Sequence, residues 1–201
     1  PHNGLLSDLY IENYAWKQLI VEAVRARELP LWNPYILSGV PFLAAGQHSL
    51  LYPFSALFYV LPLSAAFGWF AALHLFLGGT FTYLLARTLR LGRIGSMVAA
   101  VTFMFAGFTV THNVFPMIVA AVVWLPLILE MFQRALDTGR HRWAVLCALA
   151  LGVSTMGGYP QYTLYICYVL GLQWLCHELE VHRENGWSLS GTIKRLAVLV
   201  A

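Results

Sequence analysis

Charge is what this sequence has least of. Asp, Glu, Lys and Arg make up 10% of its 201 residues, against about 25% in an ordinary soluble domain. That leaves too little polar surface to cover a water-soluble globule. Cysteine is scarce too: Cys147, Cys167 and Cys176 fall inside apolar segments with no CxxC pair and no ligand spacing, so neither a disulfide framework nor a zinc site is expected. No basic stripe interleaved with aromatics stands clear of the apolar runs, which removes nucleic acid from the expected partners. A Walker loop, a GxSxG elbow, an HExxH pair and a dinucleotide fingerprint are missing, so soluble-enzyme chemistry has no foothold. Internal repeats and low-complexity tracts are absent as well.

What is present is apolar sequence in long blocks, with hydrophobic residues at 59% of the chain. A bilayer core about 30 Å thick takes about 20 such residues per helix. The expected spans are 66–86, 94–111, 116–132 (kinked at Pro126), 143–156, 161–176 and a truncated one at 193–201. The 51–63 run, with Pro53 and Pro62 near its ends, is too short to cross and suits a re-entrant or interfacial helix. The fold class expected is an all-α polytopic membrane protein. With Pro1 in a polar stretch and an apolar run stopping at Ala201, the chain reads as a piece of a longer protein.

Residues 1–50 differ from the rest. Ser7 or Asp8 can cap a helix running to about Glu28, by accepting from free N–H groups of its first turn. Trp16, Leu19, Ile20, Ala23 and Val24 make a single apolar stripe at helical spacing. Glu12, Lys17, Glu22, Arg25 and Arg27 are too many charges for a span, so this helix is expected at the membrane interface or against other protein. Pro30 to Pro41 reads as an ordered loop rich in proline and aromatics.

The loops fix an orientation. Arg87, Arg90 and Arg93, then Arg134, Arg140 and Arg142, then Arg183, Lys194 and Arg195 occupy alternate connections. The turns between them, 112–115 and 157–160, carry no Lys or Arg. By the positive-inside rule the arginine-bearing loops are cytoplasmic, and residues 1–50 lie on the opposite, extracytoplasmic side.

That side collects the residues able to carry chemistry: Asp8, Glu12, Asn33, Tyr35, Gln47, His48, His112, Asn113, Tyr159 and Gln161. Each has a plainer reading. Asp8 is either an acid–base group or only a cap; His48 and His112 lack ligand spacing and suit loop histidines bonded to backbone; Asn113 can cap a span. Gly157 to Gln161 is a tight turn whose helix start at Pro160 leaves outward N–H groups. His74 sits within the first expected span, where a polar residue is a functional candidate. Glu130 is placed to pair with Arg134, four residues on.

The segment Leu29 to Ala44 (LPLWNPYILSGVPFLA), with Leu51 to Phe54 (LYPF) and Gly157 to Tyr165 (GGYPQYTLY), resembles the YfhO-like bacterial membrane proteins. That family is grouped with the GT-C glycosyltransferases, which take sugars from polyprenyl-phosphate carriers outside the cytoplasmic membrane. The resemblance implies a GT-C-like helical bundle fragment in the bacterial inner membrane, with residues 1–50 as its first outer loop and membrane lipids and a polyprenyl-phosphate sugar donor as partners. It places the catalytic acid at Asp8, as general base toward an acceptor hydroxyl. Glu12 is the nearest second carboxylate. Arg25, Arg27 or the turn at Pro160 would face the leaving phosphate, with a divalent metal as a further option. His48, His112, Asn113, Tyr159 and Gln161 would position donor or acceptor. The alternative is a non-catalytic subunit packing within a larger membrane complex, its contacts made through Trp69, Phe70, Phe76 or Phe81.

Overall fold

The computed structural model describes residues 8–186, 188, 190–193 and 197. Of the last expected span only Ile193 and Ala197 are among them; Lys194, Arg195 and the cap candidate Ser7 lie outside the described residues.

The amphipathic helix forms, though its entrance differs from the expectation. Leu9–Tyr14 is a π-helical turn that runs straight into α1, Ala15–Arg25. Asp8 is itself in the right-handed helical region and makes no side-chain capping bond; a cap needs an extended backbone there to swing its oxygen under the first N–H groups. The Asp8 carbonyl instead accepts from Asn13 Nδ2 at 3.2 Å. The buried face is also turned about one position from the apolar stripe: Asn13, Lys17 and Ile20 are buried, while Val24 is exposed. The helix ends with Arg27 at φ 58, and Pro30 follows.

The next loop is a miniature hairpin. β1, Trp32–Asn33, pairs antiparallel with β2, Val40–Pro41. Asn33 is buried and its Oδ1 takes the Tyr35 N–H at 3.0 Å, the side-chain-to-backbone bond by which Asn starts turns. One short turn, α2 (Phe42–Ala45), leads to the loop at 46–52. The run read as a short interfacial helix is a 3₁₀ turn at Pro53–Ser55 and α3, Ala56–Val60.

Among the described residues three helices are long and apolar enough to cross a membrane. The first is α4, Leu63–Thr88. The second is interrupted: α5, Arg93–Met104, breaks at Phe105 and Ala106 before α6, Gly107–Thr111. Thr109 Oγ1 donates to the Phe103 carbonyl at 2.9 Å, so an oxygen beside the break keeps a partner. The third is α7, Pro116–Val122, and α8, Leu125–Thr138. Pro126 has no N–H to continue the ladder, and the helix breaks just ahead of it at Val123 and Trp124. Ser154 Oγ donates to the Ala121 carbonyl at 2.8 Å.

The two later spans read from the sequence do not reach that standard. α9, His141–Met156, has 16 residues, about 24 Å of helix, short of the hydrocarbon core. α10, Pro160–Asn185, has the length, but Gln161, Thr163, Gln173 and His177 dilute its apolar content. Both pack on the third span. Ile128, Phe132 and Leu136 of α8 meet Cys147 and Ala150 of α9 and Ile166 of α10. A second core joins Tyr52, Phe58, Ala66, Phe70 and Ala120, beneath α1 and α3. Phe70 is thus buried within the chain and Phe81 lies against Trp124, leaving Trp69 and Phe76 as the outward aromatics of the four named for subunit contacts.

One glycine pair closes the bundle. Gly158 has φ +92, and a Cβ there would meet the Gly46 carbonyl oxygen. Gly158→Ala is therefore expected to cost about 2–3 kcal/mol, from left-handed strain plus displacement of backbone. Gly152→Ala, which would point into open space, should change the melting midpoint in detergent little. Equal midpoints for the two variants would remove this contact as a structural constraint.

Candidate functional site

The helices sort the polar residues by end. Thr88, Arg87 and Arg90 lie at the finish of α4, and Thr88 Oγ1 donates to Glu130 Oε1 at 3.1 Å. Glu130 in turn pairs with Arg134, the i, i+4 contact its spacing suggested. The opposite end holds α1: Tyr14 stacks on Phe67, in the first turns of α4, at 6.1 Å between centroids. Twenty-six residues of α4, about 39 Å of helix, separate Phe67's end from that of Arg90. Asp8, just ahead of Tyr14, therefore sits at the end away from the arginine-bearing turns.

The residues proposed from the sequence do not gather in one place. Asp8 and Glu12 are exposed on the π turn. Arg25 and Arg27 are exposed at the other end of the same helix, about 25 Å from Asp8 at 1.5 Å per residue, too far to share a substrate atom. His112, Asn113, Tyr159 and Gln161 form a third group along α6 and the start of α10. His112 stacks on Phe108 and its Nδ1 bonds the Phe108 carbonyl at 2.8 Å. Asn113 Nδ2 donates to the Thr109 carbonyl at 3.0 Å, while its Oδ1 is buried with no partner among the described residues. Tyr159 and Tyr162 pack at 5.4 Å, and Gln161 donates to the Tyr165 hydroxyl. Beside this group an apolar groove of about 330 Å³ runs between Phe103, Phe108, Val122, Leu125, Tyr162 and Ile166.

His48 is buried, and both ring nitrogens are engaged. Nε2 lies 2.8 Å from the Phe42 carbonyl and Nδ1 accepts the Leu50 N–H at 3.2 Å, which makes Nε2 the protonated one. Burial holds its pKa below the usual histidine range. This ring shapes its own loop and has no nitrogen left for a substrate.

The constellation that does assemble is one the sequence reading passed over. Lys17, 3% exposed, reaches across from α1. Its Nζ donates to the His48 carbonyl at 2.6 Å and to Ser55 Oγ at 3.2 Å, and lies 4.6 Å from the centre of the Phe58 ring. Ser55 Oγ passes a hydrogen bond to the Ser49 carbonyl at 2.6 Å, and Ser49 Oγ donates to Gly157 at 2.6 Å. Four pieces of chain are joined this way: α1, the loop at 46–52, the start of α3 and the turn at 157–158. Burial lowers the Lys17 pKa to about 7.

Compared with family models, with curated proteins and with solved structures, the chain matches nothing.

A second chain of bonds runs below the first. His74 Nδ1 lies 2.6 Å from the Phe70 carbonyl, an acceptor only, so Nδ1 carries the proton and Nε2 accepts. The Tyr52 hydroxyl therefore donates to Nε2 at 2.7 Å, while its oxygen accepts from Trp124 Nε1 at 3.0 Å. Every polar atom in this run is paired, and His74, left open by the sequence, is a structural link between α4, the loop and the third span. Burial also raises the Tyr52 pKa above its ordinary value, so its hydroxyl stays protonated. A periodicity count could have found Lys17: it shares a helix face with Asn13 and Ile20, at i−4 and i+3. Tyr52 and Trp124 are 72 residues apart and carry no local signal of their meeting.

Among the described residues no group of three His, Cys, Asp or Glu side chains gathers to hold a cation. The chemistry on offer at the Asp8 end is that of exposed carboxylates on a helix clamped in place by a buried lysine.

Proposed function

We propose that this chain is part of a membrane-embedded, GT-C-like transferase related to the YfhO-like proteins, polytopic in the bacterial inner membrane. It takes a sugar from a polyprenyl-phosphate carrier on the extracytoplasmic face. The observation that carries this reading is the placement of Asp8 and Glu12: exposed carboxylates at the arginine-poor end of helices able to cross a membrane. Asp8 acts as general base. It takes the proton of the acceptor hydroxyl as that oxygen bonds the anomeric carbon, and the carbon–oxygen bond to phosphate breaks to release polyprenyl phosphate. Glu12, one helical turn on, keeps the local potential negative where the sugar ring becomes positive. The apolar groove between Phe108, Leu125 and Ile166 suits an isoprenoid tail.

The test is transfer in membranes containing the full-length protein, read as polyprenyl phosphate released from a radiolabelled polyprenyl-phosphate hexose. Asp8→Asn should lower the rate about 100-fold or more, the usual scale for losing a general base, with expression and melting unchanged. Undiminished release would take Asp8 out of the mechanism.

A further inference from the structure

The arginine-bearing end is built from two turns. Arg87 lies in the last turn of α4, Arg90 in the connection and Arg93 at the first position of α5; Arg134 lies near the finish of α8, and Arg140 and Arg142 at the start of α9. Side chains tie the turns together, since Thr88 Oγ1 donates to Glu130 and accepts from Arg134 Nη2 at 3.4 Å. Glu130 is buried and balances Arg134. Asp137, the other carboxylate here, is exposed and accepts from Gln133. Arg87, Arg90, Arg93, Arg140 and Arg142 are exposed, and none is in an ion pair among the described residues.

Trp143 concentrates this charge. The Arg134 and Arg142 guanidinium carbons lie 4.7 and 4.9 Å from the centre of its ring. Tryptophan at a helix end sits at headgroup depth, so Arg142, which has no ion-pair partner among the described residues, is fixed at that level beside the Glu130–Arg134 pair. The first turns of α5 and α9 hold arginine and no carboxylate, the sign that a helix start disfavours. An anion would balance Arg142 and the arginine-bearing helix starts together. A few residues into the same helices the exposed side chains are apolar: Ile94, Met97 and Val98 on α5, and Val145, Leu146 and Leu149 on α9. A ligand that meets both surfaces has a negative head and hydrocarbon tails.

We propose that this end binds the phosphodiester headgroup of an anionic phospholipid, seated between the Arg90 turn and the Arg142–Trp143 start of α9. A cation near a membrane surface strengthens attraction to anionic lipid about fivefold. The site depends on membrane embedding and not on the transferase reading, so loss of transfer leaves it standing.

Native mass spectrometry of the full-length protein in detergent tests it, with dioleoyl phosphatidylglycerol, dioleoyl phosphatidylcholine and inorganic phosphate as separate probes. Phosphatidylglycerol should be retained at least about tenfold more tightly than phosphatidylcholine. The double variant Arg90→Gln/Arg142→Gln should lower that affinity about thirtyfold, and Arg25→Gln/Arg27→Gln, at the other end, should leave it unchanged. These arginines are exposed, so the variants keep the fold. Equal retention of the two lipids, an equal loss from the Arg25/Arg27 pair, or phosphate binding with no lipid preference would each overturn the site.

Discussion

Between pH 7 and pH 10 the folded chain is expected to gain about 3 kcal/mol through Lys17 alone, because burial lowers its pKa from 10.5 to about 7. The sign follows from proton counts. Below pH 7 the lysine is protonated both folded and unfolded, and the full cost of burying the ammonium is present. Above pH 7 the folded side chain sheds its proton while the unfolded one keeps it until pH 10.5, so stability climbs across that interval at up to about 1.4 kcal/mol per pH unit. The neutral amine still has two hydrogens for the His48 carbonyl and Ser55 Oγ, so deprotonation spares the bonds that position it. His48, its pKa lowered by burial, is neutral throughout the window. Lys17→Met keeps the volume and removes the titration. The measurement is reversible unfolding in mixed micelles at several pH values, for wild type and Lys17→Met. Their difference should shift toward the wild type as pH rises; parallel curves would show that Lys17 meets water after all.

Tyr52→Phe is expected to destabilise the chain by about 2–3 kcal/mol, although it deletes a single oxygen. That oxygen serves two partners, and its loss leaves Trp124 Nε1 without an acceptor and His74 Nε2 without a donor, each orphan costing about 1–3 kcal/mol. Trp124→Phe should cost less through hydrogen bonding, because Tyr52 can still donate to His74. The double variant should therefore be more stable than the two single losses added together, by about 1 kcal/mol. Strict additivity would mean that the three side chains do not form one network. Hydrogen bonds between helices in membranes average about 0.6 kcal/mol, so a larger loss here would mark the orphaning rather than the bond.

Much of the fold was legible because membrane helices advertise themselves by length and apolar content. The spans at 66–86, 94–111 and 116–132 correspond to helices with those properties, and Pro126 located the break in the third. Where the structure departs from the reading, polar or tertiary effects decided. α9 has the composition but not the length, and α10 the length but not the composition. Asp8 has a capping residue's chemistry but a helical backbone, which the π turn extended upstream. The stripe of α1 was drawn from apolar residues, yet the protein turned Lys17 inward because two oxygens and an aromatic face waited there. Partners such as Ser49 and Gly157, 108 residues apart, meet only when the chain is folded, and no spacing rule connects them. For the same reason the candidate site residues, a plausible set in one dimension, fell into separate regions in three.

The clamp made by Lys17, Ser49 and Gly157 has a mechanical consequence. A surface helix held only by lipid rises and sinks with the headgroups, but this one is tied to the turn at 157–158 through Ser55 and Ser49 and stacks through Tyr14 on α4, so its height along the bundle is fixed. Bilayers of longer or shorter acyl chains will slide past it rather than carry it along. Membrane thickness then sets how deep the first carboxylates stand in the polar layer, making any reaction there a gauge of bilayer dimensions.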